Sequence, residues 1–428
     1  MNLGITLIPV MFFFLVLGVP VVFGIGLTVL SAVFAWKQVP MVLIFQQFYQ
    51  GTDSFPLLAI PLFMLAGDLM TRVGIIDDIL NFTNILVGRF RGGLAYVDIV
   101  ANVFFAAISG SAVADMAAIG TLLTPKMEEQ GYDADFSVSL TAAASVIGPI
   151  IPPSIPMVVY SSVMSVSVGA MFLGGIIPGI LLGAGLAVLS WAICRKRGYK
   201  AAKRVYTGRE ALTVTIHAIP ALLMPVIILG GIFSGMFSPT ESAAITCLYA
   251  ILLGRFFYKN LTWKSLYESF AASMTSAAGV LLIVAIAKPF GWLVIMSHLA
   301  DTISAALTTI TTSPVIMLLI LNLILLILGC MMESTANILI FAPLFAPLAI
   351  SLGVDPLHFG VIFVLNVMMG VATPPFGMCL FIGSNISGLP VERIMKAVLP
   401  FVAVEILILL LCTYMPVLVT GLPGLFGF

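Results

Sequence analysis

Gly148-Pro149-Ile150-Ile151-Pro152-Pro153-Ser154 and Gly370-Val371-Ala372-Thr373-Pro374-Pro375-Phe376 each interrupt a long apolar run. They lie 222 residues apart, and the same offset pairs Pro125 with Pro347, Gly131 with Gly353, Asp133 with Asp355 and Pro178 with Pro400. Elsewhere between Ser109 and Pro178 identity at that offset is low, so the matches concentrate in residues that break helices. This pattern reads as one backbone shape used twice.

A Pro-Pro pair removes two amide donors and clashes with the preceding turn, so a helix carrying it must open. In hydrocarbon the freed carbonyls would cost several kcal/mol each unless they face protein, water or a cation. Two such breaks point to a lined site. The blander reading, two proline kinks in ordinary spanning helices, loses weight once the breaks occupy matching positions of a repeat.

Composition sets the surroundings. The chain has 428 residues, 61% hydrophobic and 8% charged, with a mean hydropathy of +1.20. This is the composition of a polytopic all-α membrane protein. The formal net charge is zero, which gives no basic surface for nucleic acid. The five cysteines (Cys194, Cys247, Cys330, Cys379 and Cys412) and three histidines (His217, His298 and His358) are scattered, forming neither a disulfide framework nor a metal cluster. The N-terminal apolar run lacks a basic start and a cleavage pattern, so it reads as a retained span.

Residues 3–17 and 21–36 form two apolar segments hinged at Gly18-Val19-Pro20, and a third runs over 55–70, followed by Arg72. Polar and apolar residues mix at helical spacing over 74–88, as in a helix lying along the membrane interface. Residues 92–126 are apolar except at their middle, Ser109-Gly110-Ser111-Ala112-Val113-Ala114-Asp115. Each arm there, about 15 residues or roughly 22 Å, falls short of the hydrocarbon thickness, so a re-entrant hairpin fits better than two spans. A broken helix follows over 136–168, then a span over 170–193. The second half repeats the plan. Segments over 212–236 and 240–257 are hinged at Ser238-Pro239-Thr240-Glu241. A span reaches Lys288, an interfacial stretch covers 298–307, and a second hairpin covers 314–347 with Gly329 to Asn337 at its tip. A broken helix over 358–388 and a final span over 397–420 complete the chain.

Residues 195–210 carry Arg195, Lys196, Arg197, Lys200, Lys203, Arg204 and Arg209 with no acid before Glu210. The positive-inside rule makes this linker cytoplasmic. It divides a first repeat, 1–194, from a second, 211–428. The last span of the first half ends on cations, whereas that of the second begins beside Arg393 and Lys396, and Arg89 and Arg91 face Thr311 and Ser313 at the offset. The repeats are therefore expected to be inverted, with about ten spans, two hairpins and both termini periplasmic.

The tips carry Ser109, Ser111, Asp115, Glu333, Ser334, Thr335 and Asn337. Hydroxyls, amides and opened carbonyls are hard oxygen ligands suited to sodium, and helix N-termini opening on the same space can hold an anion. For the first tip the structural alternative is small-residue helix packing. Glu333 is the sharper signal, since a carboxylate deep in the bilayer costs about 2.5–3.5 kcal/mol on insertion scales. Asp115, Glu241 and Lys288 raise the same question, Asp68 finds Arg72 one turn on, and Glu405 has no evident partner. A proton relay through Glu333 or Asp115 is the alternative to sodium.

These motifs resemble the large membrane subunit of TRAP transporters, the tripartite ATP-independent periplasmic family. The resemblance covers nearly the whole chain and rests on Gly18-Val19-Pro20, Ser109 to Asp115, Ile147 to Ser154, Ser238 to Glu241, Glu333 to Asn337 and Thr373 to Gly377. It implies a sodium-driven importer of organic acids in the bacterial inner membrane, with an ion-transporter-superfamily elevator fold. It also implies two partners, a small four-helix membrane subunit, not fused here, and a periplasmic substrate-binding protein. The sialic acid type is the nearer likeness, ahead of the C4-dicarboxylate type. By motif, Ser109, Ser154 and Glu333 would face substrate. Sodium would lie among Ser109, Gly110, Ser111, Gly148, Pro149, Pro152, Gly329, Ser334, Thr335, Gly370, Thr373 and Pro374, with Asp115 and Asn337 as further intramembrane polar groups. A channel or exporter on the same repeat is the competing class. An intramembrane enzyme is disfavoured, because the chain has no Gly-x-Ser-x-Gly, no His-Glu-x-x-His and no clustered histidines.

Overall fold

Helix is the regular structure that so apolar a chain can form run by run, because each backbone group finds its partner inside its own segment. The computed structural model describes residues 3–36, 39–199 and 207–428, and every regular element among them is helical. Of the linker cations, Lys200, Lys203 and Arg204 lie outside the described residues.

Helices α1 (Leu7–Val16) and α2 (Val21–Trp36) pack together about the Gly18 turn. Helix α3 (Met41–Thr52) follows, a helix the sequence reading passed over because Gln46, Gln47 and Gln50 dilute its apolar signal. A 3-10 turn at Phe55–Leu58 leads into α4 (Ala59–Val73), which stops on Gly74 at φ 92°, and α5 (Ile75–Val87) is the amphipathic helix expected over 74–88. Helices α6 (Gly93–Ser109) and α7 (Ala112–Glu129) form the first hairpin, turning on Gly110. The first broken helix is α8 (Ala134–Ser145) and α9 (Ile155–Met164), and α10 (Val168–Arg197) closes the first half.

In the second half come α11 (Gly208–Phe233), α12 (Pro239–Leu252), α13 (Trp263–Met296) and α14 (Leu299–Ile310). Helices α15 (Pro314–Met331) and α16 (Ser334–Ser351) form the second hairpin, α17 (Pro356–Gly370) and α18 (Met378–Ser387) the second broken helix, followed by α19 (Val391–Tyr414) and α20 (Val417–Leu425). Helices α7 and α16 each have 18 residues, and their starts stand at the 222-residue offset.

Several expectations need correction. Pro125, Pro347, Pro178 and Pro400 sit inside helices and do not end them. A single proline loses one donor, which neighbouring turns can absorb, whereas a pair of prolines opens the chain. The hairpin arms are accordingly 17 or 18 residues long, and both arms of the second hairpin are long and apolar enough to cross a membrane. Among the described residues eight helices meet that standard: six answer to the ten or so expected spans and two are the arms of the second hairpin, while α1, α2 and the halves of the two broken helices are individually too short. The final span stops at Tyr414, and α20 is a separate short helix beginning beyond Pro416.

Packing crosses between the halves. Helix α18 lies on α7 and α8, while α9 lies on α16 and α17. The 34-residue α13 runs beside α2, α3, α4 and α16. Arg72 pairs with Asp68 at 2.8 Å, as expected, and also with Glu268 at 3.1 Å, which ties α4 to α13.

Candidate functional site

The first break unwinds from Val146 to Ser154, and the second from Val371 to Gly377. Each hairpin tip lies against the break of its own half. Gly110 adopts φ 60°, and a methyl placed on it would stand 2.6 Å from the Pro153 carbonyl oxygen. In the second half the Gly329 and Gly370 backbones touch with no room for a side chain on Gly370. Glycine is required at such close approaches.

The C-terminal ends of α6 and α8 meet around Asp115. The Ser109 hydroxyl donates a hydrogen bond to Asp115 Oδ1, and the Ser111 N–H donates to Ser109 Oγ at 3.2 Å. Asp115 Oδ2 lies against Gly148 and has no hydrogen-bond partner among the described residues, although the residue is fully buried. Asn337, at the same place in the second half, is likewise buried, with both amide atoms unpartnered among the described residues. Buried polar atoms are seldom left orphaned, so these ask for a group to satisfy them. Carboxylate, hydroxyl, amide and main-chain oxygens beside helix C-termini fit a hard cation such as sodium. Among the described residues no group of three His, Cys, Asp or Glu side chains gathers to hold a metal ion.

N-terminal ends converge on a different space. A cavity of about 290 Å³ is lined by Ala112 and Val113 of α7, Ile155 and Pro156 of α9, Ser334 and Thr335 of α16, and Met378 of α18. These residues stand in the first turns of four helices, ends that carry partial positive charge, with that of α16 capped by the Glu333 carboxylate. Its remaining wall includes Met64, Pro149, Val280, Glu333, Met368 and Val371. The volume sits near the lower end of small-molecule sites, about 300–1,000 Å³.

Capping explains how the sequence builds these ends. Ser111 accepts from Ala114 N, and Ser154 from Met157 N at 3.2 Å. Glu333 caps α16, accepting from Ala336 N at 3.1 Å and from the Ser334 and Thr335 hydroxyls at 3.0 and 2.9 Å. Gly377 offers no side-chain cap to α18; main-chain carbonyls take that role, with Cys379 N–H donating to Val371 at 3.1 Å and Leu380 N–H to Gly377 at 2.9 Å.

The expected residues divide accordingly. Gly110, Ser111, Pro149, Glu333, Ser334 and Thr335 line the cavity. Ser109 and Ser111 line a neighbouring one of about 590 Å³ between α4, the first hairpin and α13, beside Asp68, Thr71, Ser273 and Ser276. Ser154, expected to face substrate, is fully buried with its hydroxyl turned to the Pro149 carbonyl. Thr373 turns its hydroxyl to the Met369 carbonyl at 2.7 Å. Gly329 and Gly370 serve close backbone contact, and Gly148 leaves room for the Asp115 carboxylate; Pro152 and Pro374 form the breaks, their bonds to Pro153 and Pro375 being cis. Glu241 is exposed and closes a capping box with Ser238, a local role. Glu405 is fully buried and both its oxygens are without partners among the described residues.

Sequence reasoning missed two buried networks behind the site. Asp98 accepts from Asn102 at 2.9 Å and from the Thr141 hydroxyl at 2.6 Å, joining α6 to α8. Asn366 donates to Asn322 at 3.0 Å, and Asn322 to Thr413 at 2.9 Å, joining α15, α17 and α19. The four-residue step from Asp98 to Asn102 is a signal that could have exposed the first.

Residues 8–418 match the family described as "Tripartite ATP-independent periplasmic transporter, DctM component". The chain is 40% identical over 409 residues to the sialic acid TRAP transporter large permease protein SiaM of Vibrio cholerae, covering 96% of each. It is 39% identical to the isethionate TRAP transporter permease protein DctMQ of Oleidesulfovibrio alaskensis, spanning 96% of this chain but 65% of that relative. It is 38% identical to the C4-dicarboxylate TRAP transporter large permease protein DctM of Pseudomonas aeruginosa, over 89% of this chain and 88% of the relative. Among solved structures it resembles the YdaH transporter of Alcanivorax borkumensis, with TM-score 0.65, 16% identity, and 90% and 89% of the two chains covered. That likeness is one of fold alone. These relatives are permeases, not enzymes.

Proposed function

Because the chain belongs to the DctM-component family of tripartite ATP-independent periplasmic transporters, we propose that it is the large membrane subunit of a sodium-coupled importer of sialic acid or a related carboxylate. The observation that carries this reading is the cavity lined by the first turns of α7, α9, α16 and α18. A carboxylate there meets the first turns of four helices, whose partial positive ends favour an anion. The polar remainder of the solute meets Ser334, Thr335 and the Glu333 carboxylate, while Met64, Met368 and Met378 cover its carbon skeleton.

Sodium is the driving cargo. Its oxygens come from Ser109, Asp115 and the opened backbone near Gly148 on one side, and from Asn337 and the Gly329 and Gly370 backbones on the other. Cation at helix C-termini and anion at N-termini strengthen each other's binding, which is the coupling an importer needs. Inward passage of one sodium ion at 100 mV releases about 2.3 kcal/mol, so two ions support strong accumulation.

The hairpins and broken helices form two inverted repeats, 1–194 and 211–428, joined by the linker at 195–210. They move together against α2, α3, α4, α11, α12 and α13 as an elevator. The protein resides in the bacterial inner membrane with the linker cytoplasmic. It works with a small four-helix membrane subunit and a periplasmic binding protein that delivers the solute. The relatives' names favour sialic acid, and the 38% identity to a C4-dicarboxylate permease supports the second reading.

The test uses the three-part complex in liposomes. Uptake of N-acetylneuraminate is expected to need both an inward sodium gradient and the binding protein, with malate as the competing solute. Uptake that needs neither overturns the proposal. Uptake driven by a pH gradient without sodium would assign the coupling to protons, with buried Glu405 as the carboxylate to examine. Glu333→Gln is expected to cut uptake at least about tenfold while assembly survives, since it removes a charge from the cavity wall but keeps a capping oxygen.

A further inference from the structure

Lys288 stands near the far end of the long helix α13 with its side chain exposed. It lines a second cavity, of about 490 Å³, between α3 and α13 on one side and α9 and α16 on the other. Gln47, Gln50, Asp53, Ser162 and Trp292 share that lining. Helix α3 approaches closely because Gly51 has no side chain. A methyl there would stand 3.0 Å from Lys288 Cβ and 3.1 Å from the Val284 carbonyl oxygen. The glutamine edge of α3 is thereby held beside the lysine. Among the described residues Lys288 makes no ion pair or hydrogen bond, and Asp53 of the same cavity does not reach it.

The cavity connects with the inner one through shared helices. Ile155 and Ser334, at the starts of α9 and α16, line the inner cavity, while Ser162 and Leu339 on the same two helices line this one. The separation is one to two helical turns, roughly 10 Å.

We propose that Lys288, with the amides of Gln47 and Gln50, forms an anion subsite that receives the carboxylate of the solute before it reaches the inner cavity. This rests on the import reading above. Lys288 supplies a point charge, the glutamines supply N–H donors, and Trp292 supplies an apolar wall for the carbon skeleton. Asp53 opposes the anion and keeps the subsite from becoming a trap. In the orientation proposed above the cavity opens on the periplasmic side, where the binding protein releases its cargo.

Two measurements test it. In the assembled complex in liposomes, Lys288→Met should raise KM for N-acetylneuraminate about tenfold while leaving the maximal rate within about twofold. Lys288→Arg should restore KM and Asp53→Asn should lower it. The uncharged methyl ester of the acid should compete equally well against wild type and Lys288→Met. An unchanged KM, a fall in maximal rate alone, or an ester that distinguishes the two proteins would overturn the subsite. Absence of sodium-driven uptake in wild type would instead overturn the import reading. The subsite is then decided by binding to the complex whose large subunit keeps only Trp292, with Trp36, Trp191 and Trp263 replaced by Phe. N-acetylneuraminate should shift its emission when Lys288 is present and not in Lys288→Met; the same response in both rejects the subsite.

Discussion

Gly110 and Gly353 both hold left-handed backbone, at φ 60° and φ 85°, but their surroundings differ. A methyl at Gly353 meets open space, whereas one at Gly110 runs into the Pro153 carbonyl. Gly353→Ala should therefore show only the left-handed cost of a side chain, about 1–2 kcal/mol. Gly110→Ala adds the contact between hairpin tip and break, so its thermal midpoint in detergent should fall further and its uptake should be lost. Equal midpoints would mean that the tip backs away freely. At this scale the sequence was legible where chemistry demanded a residue type, as at Gly110, Ser111 and Glu333. It was silent about direction. A serine before a helix reads the same whether it caps that helix or faces a ligand, and Ser154 turned inward. Asp98 escaped notice because its partner Thr141 is met only once α6 packs on α8, and the four-residue step to Asn102 within α6 went unread.

Connections between elements carry their own chemistry. The loop from α7 to α8 is clipped to the end of α10 by Asp133, which accepts hydrogen bonds from the Tyr199 hydroxyl and from Arg197, each at 2.6 Å. The tyrosine hydrogen bond first, then the guanidinium, holds the Asp133 carboxyl below its usual range. A depressed folded-state value adds stability above the ordinary aspartate pKa, about 3.9, and that stability is lost as pH falls through the folded-state value. Thermal unfolding of wild type should therefore decline more steeply from about pH 5 to pH 3 than that of Asp133→Asn, which has no charge to lose there. Parallel curves would show that the clip is idle. Most helices could be placed from the sequence because apolar runs and capping residues mark them. Pro125 and Pro347 misled, since a proline inside a packed helix leaves the same mark in a sequence as one that ends it.

For the molecule as a whole, the sequence offered matching residues 222 apart but not how the two parts of the chain cross, because the contacts of α18 with α7 and of α9 with α16 join residues far apart in the chain. The elevator reading depends on a surface along which the hairpins and broken helices slide, and α4 offers the sharpest place to examine it. Gly67 of α4 passes the first tip so closely that a methyl would stand 3.1 Å from the Ile108 carbonyl oxygen and 3.6 Å from Ser109 Cα. A tip that stays fixed to α4 tolerates a larger residue once the contact has relaxed by a few tenths of an ångström. One that must travel past α4 meets the obstacle in every cycle. Gly67→Val should therefore slow uptake by at least about tenfold while the complex still binds N-acetylneuraminate with near-normal affinity, a loss confined to turnover. Normal uptake by that variant would show that the first tip does not move against α4, and the division between moving and fixed helices would have to be redrawn.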